Sequence, residues 1–498
     1  MKKFFMSAFA LVVASCFFFS CADLNVESNS SAESIRKQEL ALLAATGGYV
    51  LSEDVMKDSL LSFLTASDTE SRSVISANSY EFTLADETTV SYPEVRLERS
   101  IAPESINSLS LYLYEFSNKD NESSGFAITS TDERIGSVLA VVPEGNLEDG
   151  ENDFLAFYTE CLENYIEETV DLWNEIDDEY IRAVCKEARV TVNSERSIGE
   201  PQKKLYEYTE LTYNSGNSTK LIGTNWGQQY DYNDAIEAVY KKNYLVGCSS
   251  VAVAQLLAYY KPNMTMHPTC FSNLKSKWSD IGTWSGVYDW NEITKSSTIY
   301  GLSKSAKLQL QALLYEIPER FGAKYGTTET EAKNARVAQV FSSLGFSNSG
   351  TESYKFDRVK SAIDNYGPLA MYGSAQKKTK SVNIFGKKIT VSTSYYYGHV
   401  WVVDGYANFT CNVKNSTTEE NVIKTDNFIH CNAGWYGNNN GYYKSGVFDM
   451  NNTPLPDDRS EYKKYYQYNL HIIRNLKFTG IYEPVSFGVA ATNDDEDE

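Results

Sequence analysis

Apolar residues recur every three or four positions at Leu155, Tyr158, Leu162, Ile166, Val170 and Trp173, and this spacing predicts one long helical stretch over 153–190. Before it, three short apolar runs separated by polar turns predict a β-meander over 110–142: Leu111 to Phe116, Gly125 to Ile128, and Gly136 to Val142. Val253, Leu256, Leu257 and Tyr260 mark the face of a second helix, which opens at Gly247-Cys248-Ser249-Ser250 and is stopped by Pro262. Ala41 to Val50 is small and apolar around Gly47-Gly48. Towards the C-terminus the pattern turns strand-rich. Val382 to Val391 reads as a hairpin about Gly386, His399 to Tyr406 as a strand bounded by glycines, and Phe428 to Asn432 as its neighbour. The polar segment Asn193 to Lys204, with Pro201, is the expected linker. The division is therefore a first unit over 22–200, a second over 206–480 and an acidic tail over 481–498, without an internal repeat.

Residues 1–21 read as a targeting signal: Lys2 and Lys3 precede an apolar run from Phe4 to Phe19 that ends in Ser20-Cys21. A cysteine closing such a run resembles a bacterial lipobox, with Cys21 as the lipidated residue and the signal removed. Cys16, after Val13-Ala14-Ser15, is the rival position. The polar stretch from Asn25 favours Cys21; an ordinary secretory signal without a lipid is the alternative, and either one exports the chain. The expected location is outside the cytoplasm, as an outer-membrane or cell-surface lipoprotein that processing can release.

Composition adds limits. The 498 residues suffice for two or three domains. A net charge of −21 argues against nucleic acid or an anionic membrane surface as the main partner. Six cysteines lie beyond the signal: Cys161, Cys185, Cys248, Cys270, Cys411 and Cys431. Their wide spacing excludes CxxC metal clusters and a dense disulfide scaffold, and leaves room for one or two bridges. No metal or organic cofactor is implied.

The candidate chemistry centres on Cys248. A cysteine at a helix start meets unpaired backbone N–H groups and the positive end of the helix dipole, which favour thiolate. A thiolate nucleophile needs a base, and among four histidines His399 is best placed, on a strand 151 residues later. Asn432 is the candidate for orienting the imidazole, with Trp435 shielding that contact from water. An oxyanion needs two donors: the Cys248 N–H, and the side-chain amide of Gln228, 20 residues upstream.

These blocks resemble the streptopain family of papain-like cysteine peptidases. The family's W-x-Q-x-x-P-Y-N block stands here as Trp226-Gly227-Gln228-Gln229-Tyr230-Asp231-Tyr232-Asn233, with Asp231 in place of proline. G-C-x-x-x-A-x-A-Q runs from Gly247 to Gln255, and Tyr288-Asp289-Trp290 resembles an internal D-W segment. Gly398-His399 through Asp404-Gly405-Tyr406 matches G-H-x-x-x-x-D-G-Y. The N-W-G-W-x-G block is Asn432-Ala433-Gly434-Trp435-Tyr436-Gly437, with Ala433 replacing the first tryptophan. Together the blocks span about residues 221–445. Gly125 to Arg134 and Leu139-Ala140 are similar to the family's inhibitory prodomain.

The resemblance implies an α+β chain: a papain-like peptidase fold, with a helical part and an antiparallel β part, preceded by an α+β prodomain. It implies a latent cysteine endopeptidase acting on protein or peptide substrates, with residues 22–200 as intramolecular inhibitor. Ala433 is expected to loosen the Cys–His pair or open the adjacent subsite. Two other classes fit a Cys–His site or its scaffold: an acyltransferase or amidase, and a catalytically silent surface binding lipoprotein. His430, two residues from Asn432, is a rival base but reads better as a structural histidine. His267 and His471 read as loop and strand histidines without partners. Asp404 reads as the end of a strand in a D-G turn. Lys377, Lys378, Lys380, Lys387 and Lys388 surround the hairpin before His399; a solvated face is the plain reading, and a border to the cleft that favours acidic substrates or the prodomain is the sharper one.

Overall fold

The computed structural model describes residues 32–46, 51–67, 80–91, 108–119, 123–145, 153–187, 220–384, 387–414, 421–450 and 470–484. The first part contains α1 (Ala32–Thr46), α2 (Glu53–Ser67), β1 (Tyr80–Ser91), β2 (Ser108–Asn118), β3 (Ser123–Ser130), β4 (Val138–Val142), α3 (Asp153–Glu175) and α4 (Asp178–Glu187). The second opens with α5 (Asp234–Tyr240), α6 (Cys248–Tyr260), α7 (Pro268–Lys277), α8 (Trp290–Ile293), α9 (Lys304–Phe321) and α10 (Val337–Ser343). It continues with β5 (Phe346–Ser347), β6 (Glu352–Ser353), α11 (Phe356–Asn365), β7 (Leu369–Ile384), β8 (Lys387–Lys414) and β9 (Asn421–Asn432). It closes with β10 (Gly441–Lys444), α12 (Ser445–Met450), β11 (His471–Ile473) and β12 (Lys477–Phe478). The α+β class is as expected, and β2, β3 and β4 are the expected meander.

The long helix predicted over 153–190 is two helices. The carboxylate of Asp177 accepts from Tyr180 N at 2.8 Å, which caps a new helix start and interrupts the apolar periodicity without erasing it. The hairpin before His399 forms through β7 and β8, with Ile384 opposite Lys387. The side chains of its lysine cluster fall outside the described residues, as do the signal, Cys16, Cys21, the linker and the acidic tail from residue 485 on.

One ten-stranded sheet runs through both parts, in the order β1-β2-β3-β4-β10-β9-β8-β7-β11-β6, and all its described pairs are antiparallel. The seam is β4 on β10, with Val141 opposite Tyr442 and Ala140 opposite Tyr443. Side chains alternate between the two faces of this sheet. On one face Ala370, Tyr372, Val400 and Val402 join the core built around α6 and α9. On the other, Leu369, Met371, Trp401 and Val403 join Phe154, Tyr158, Leu162, Tyr165 and Ile166 of α3. The apolar stripe of α3 is buried in one cluster that α1, α4 and the β3–β4 pair share with the β7–β8–β9 face.

Candidate active site

Gly247 holds φ at +89°, and a Cβ there would lie 3.3 Å from the Thr330 methyl and carbonyl. Its carbonyl accepts from Ser250 N at 3.0 Å and Val251 N at 3.2 Å, so the helix starts at once after it. Ser249 through Ala258 are all buried, whereas Cys248 is half-buried at the mouth. α6 is thus enclosed on every side, where its sequence suggested a single apolar stripe. The N–H groups of Cys248 and Ser249 precede the first of the bonds to the Gly247 carbonyl, at the positive end of the helix dipole, the electrostatic setting expected for the thiol.

Gln228 is buried, and its carbonyl accepts from Val246 N at 3.0 Å, which ties it to the strand of chain entering Cys248. Its side-chain amide has no hydrogen-bond partner among the described residues.

Asn432 lies opposite Val402, so its side chain points to the α6 face. Its Nδ2 donates to Thr224 O at 2.9 Å and to Gln255 Oε1 at 3.2 Å, and its Oδ1 accepts from Gln255 Nε2 at 3.0 Å and Gly434 N at 3.2 Å. Gln255 Oε1 also accepts from Thr224 Oγ1 at 3.2 Å and Trp226 N at 3.3 Å. This fully buried glutamine, two turns along α6 from Cys248, therefore joins the nucleophile helix, the Trp226–Gln228 segment and Asn432. Sequence reasoning passed over its role. An amide inside an otherwise apolar helix was the available signal.

His399 shares parity along β8 with Trp401 and Val403, which face α3. Its ring stacks 6.1 Å from Trp401, lies 5.8 Å from Phe154, and donates from Nε2 to Ala433 O at 3.1 Å. These contacts lie on the sheet face opposite the one packed by α6. The hydrogen bonds of Asn432 go to Gln255, Thr224 and Gly434, so the expected Asn432–His399 bond is not the one made in this state. Ala433 is fully buried, with its N–H on Asn440 Oδ1 at 3.0 Å. Trp435 is half-buried at the edge of the α3-side core.

The other histidines have partners. His430 Nδ1 donates to Asp404 Oδ1 at 2.5 Å, both side chains being buried, and Asp404 Oδ2 accepts from Ile222 N at 3.0 Å. Asp404 does not end a strand. It sits at a register shift inside β8, between Val403 and Gly405, where the extra residue aims its carboxylate at His430 and Ile222. His267 caps α7, accepting from Thr269 N at 3.3 Å, and His471 stacks on Tyr372 at 5.2 Å. Burial first, then the nearby Arg320 charge, hold the His267 pKa below its usual value. Asp289 caps α8 through Asn291 N and Glu292 N. Cys161, Cys185, Cys248, Cys270 and Cys431 are free thiols, so no bridge forms among them; the Cys411 side chain lies outside the described residues. Among the described residues there is no cluster fit for a metal ion, and no helix is long and apolar enough to cross a membrane.

Residues 226–443 match the model of the Peptidase C10 family. The chain is similar to streptopain of Streptococcus pyogenes serotype M1, 20% identical over 443 residues, covering 81% of this chain and 90% of that protein. Streptopain of serotype M28 matches at 20% over 444 residues, with the same coverage. Among solved structures, a prointerpain A fragment of Prevotella intermedia matches 80% of this chain and all of its own at 16% identity and a TM-score of 0.41. Active interpain A of the same organism covers 57% of this chain at 17% identity and a TM-score of 0.30. The ordered sequence blocks and the family match fall on the same residues, and the segment over 226–443 is that of a streptopain-like cysteine peptidase of the Peptidase C10 family.

Proposed function

We propose that Cys248 is the nucleophile and His399 the proton acceptor of an exported endopeptidase whose precursor is latent. The reading rests above all on Cys248, the half-buried thiol at the start of a buried helix, beside a Gln228 amide held in place through its own backbone. Once His399 reaches Cys248, the imidazole takes the thiol proton and the thiolate adds to the peptide carbonyl. The oxyanion lies between the Cys248 N–H and the Gln228 amide. The imidazolium protonates the departing amine, leaving a thioester. Water, deprotonated by the same imidazole, then releases the acid and restores the thiol. Asn432 orients the imidazole in the active form, and Trp435 keeps water from that bond.

Latency follows from the contacts of His399 in the precursor. Phe154, the second residue of α3, packs on its ring from the prodomain side, so the base is engaged on the wrong face of the sheet. Cleavage in the linker over 193–204 and release of α3 free it. Domain limits follow the sequence: a signal over 1–21, a prodomain over 22–200 and a peptidase domain over 206–480, with Cys21 carrying the lipid anchor.

The test is labelling of the processed enzyme with a peptidyl epoxide, with peptide mapping and product analysis. Modification of Cys248 that is lost in His399→Ala, together with cleaved peptide products, is expected. Cross-linked or deamidated glutamine as the sole product would replace hydrolysis by acyl transfer. An unreactive Cys248 would leave the fold as a scaffold for binding.

A further inference from the structure

Two places where this chain differs from the family blocks, or fills a free position in them, come together beside Gln228. Asp231 stands where the block has proline, and Tyr436 fills the open position after Trp435. The Tyr436 hydroxyl accepts from Gln229 N at 2.8 Å, and its ring packs on the α6-side core and lies against Gly227. A Cβ at Gly227 would sit 2.1 Å from that ring, so the glycine is required by the tyrosine. Tyr230 packs 5.9 Å from Tyr436, and Tyr232 bridges Tyr436 at 5.7 Å and Tyr300 at 6.5 Å. Tyr230 is 67% exposed and Tyr300 57% exposed. Tyr230 and Tyr436 hold φ at +59° and +57°, a conformation unfavourable for bulky side chains. Tyr230 thus bears strain while its ring stays exposed, two residues after Gln228, and strain of this kind beside a candidate oxyanion site points to a ligand.

The charge around the rings indicates which ligand. Asp231 lies within reach of Tyr300, and Asp234 adds a second carboxylate; burial and repulsion from Asp231 push Asp234 up to about 6. The shelf already holds one cation at its rim: Lys307 Nζ lies 3.4 Å from Asp231 and 5.8 Å from the centre of the Tyr300 ring. Ring faces combined with a carboxylate suit a guanidinium or ammonium group.

The position relative to the scissile bond follows from the base. The departing amine takes its proton from His399 once Asn432 orients it, so the substrate residues after the scissile bond run towards the loop that follows Asn432. Tyr436 is on that loop. We propose that Tyr230, Tyr300, Tyr436 and Asp231 form a subsite for an arginine or lysine side chain just after the scissile bond. This rests on the assignment of Cys248, His399 and Gln228 above.

The test uses full-length precursor after self-processing. Internally quenched peptides carry arginine, leucine or glutamate at the first or second position after the scissile bond, and kcat/KM is measured for each. The wild type is expected to prefer arginine. The arginine-to-leucine ratio should fall about five-fold in Tyr300→Ala, Tyr230→Gly and Asp231→Asn, and rise in Lys307→Met. Tyr230→Gly also relieves the positive φ, so loss of fold does not cloud it. A preference for leucine or glutamate, or a ratio that none of the four variants moves, would overturn the subsite while leaving the nucleophile intact. Absence of cleavage with an unlabelled Cys248 would overturn both.

Discussion

Phe154 is the point at which latency can be probed most locally. It is fully buried, with ring centres 5.1 Å from Trp401, 5.1 Å from Tyr443 and 5.8 Å from His399. Truncating a buried phenylalanine to alanine costs about 3–5 kcal/mol. When α3 leaves the sheet, Phe154 is exposed to water, so the substitution weakens the docked state and leaves the released one nearly untouched. A shift of about 3 kcal/mol corresponds to about 100-fold in the population of precursor with a freed His399. The assay is the initial rate of iodoacetamide labelling at Cys248 in unprocessed precursor, followed by peptide mapping. The described cysteines other than Cys248 are buried, which keeps the background low. Phe154→Ala should label tens of times faster than wild type. Leu313→Ala provides the comparison: Leu313 is also fully buried but belongs to the cluster around α6 and α9, which holds no residue of the prodomain. It should lower Tm similarly with far less effect on labelling. If Phe154→Ala lowers Tm but leaves the labelling rate at the wild-type value, the contact with His399 does not hold the base.

Gln255→Met keeps the volume but strips the partners from Asn432, Trp226 N and Thr224, so a loss of about 2–3 kcal/mol and a fall in kcat larger than the change in KM are expected from unfolding curves and steady-state kinetics. Asp404→Ala leaves His430 and Ile222 N buried without their carboxylate, which should cost about 3–5 kcal/mol in denaturant titrations while Cys248 in the surviving folded enzyme still reacts. Asp234, whose pKa is raised from 3.8 to about 6, binds its proton more tightly in the folded than in the unfolded chain. Stability should therefore fall as pH rises from about 4 to 6. Asp234→Asn should raise stability at pH 7 but not at pH 3.5, by less than about 1 kcal/mol because the carboxylate is only partly withdrawn from water.

The parts of this fold that sequence made readable are those where one local rule dominates. The β2–β3–β4 meander shows as short apolar runs between polar turns, and α6 shows as an apolar run between Gly247 and Pro262. Cys248 was readable because its chemistry and its place at a helix start coincide. Features set by tertiary contact were not readable. The break at Asp177 leaves the apolar period of α3 and α4 unchanged. Asp404 looks like a turn residue because the register shift that turns it inward belongs to the β8–β9 pairing. His399 was rightly placed on a strand, but which face it serves depends on where α3 docks. Gln255 carries no chemistry alone, and its importance appears only when Thr224, Trp226 and Asn432 converge on it.

Under the proposed mechanism Cys248 performs peptide hydrolysis and the intact precursor withholds it. Intact-mass spectrometry of purified full-length protein over time, with wild type and Cys248→Ala side by side, tests it most directly. The wild type should convert to a species cut between about residues 193 and 204 and gain peptidase activity as it does so, while Cys248→Ala stays whole and inactive. Equal processing of both proteins, or full activity of uncut wild-type precursor, would contradict it.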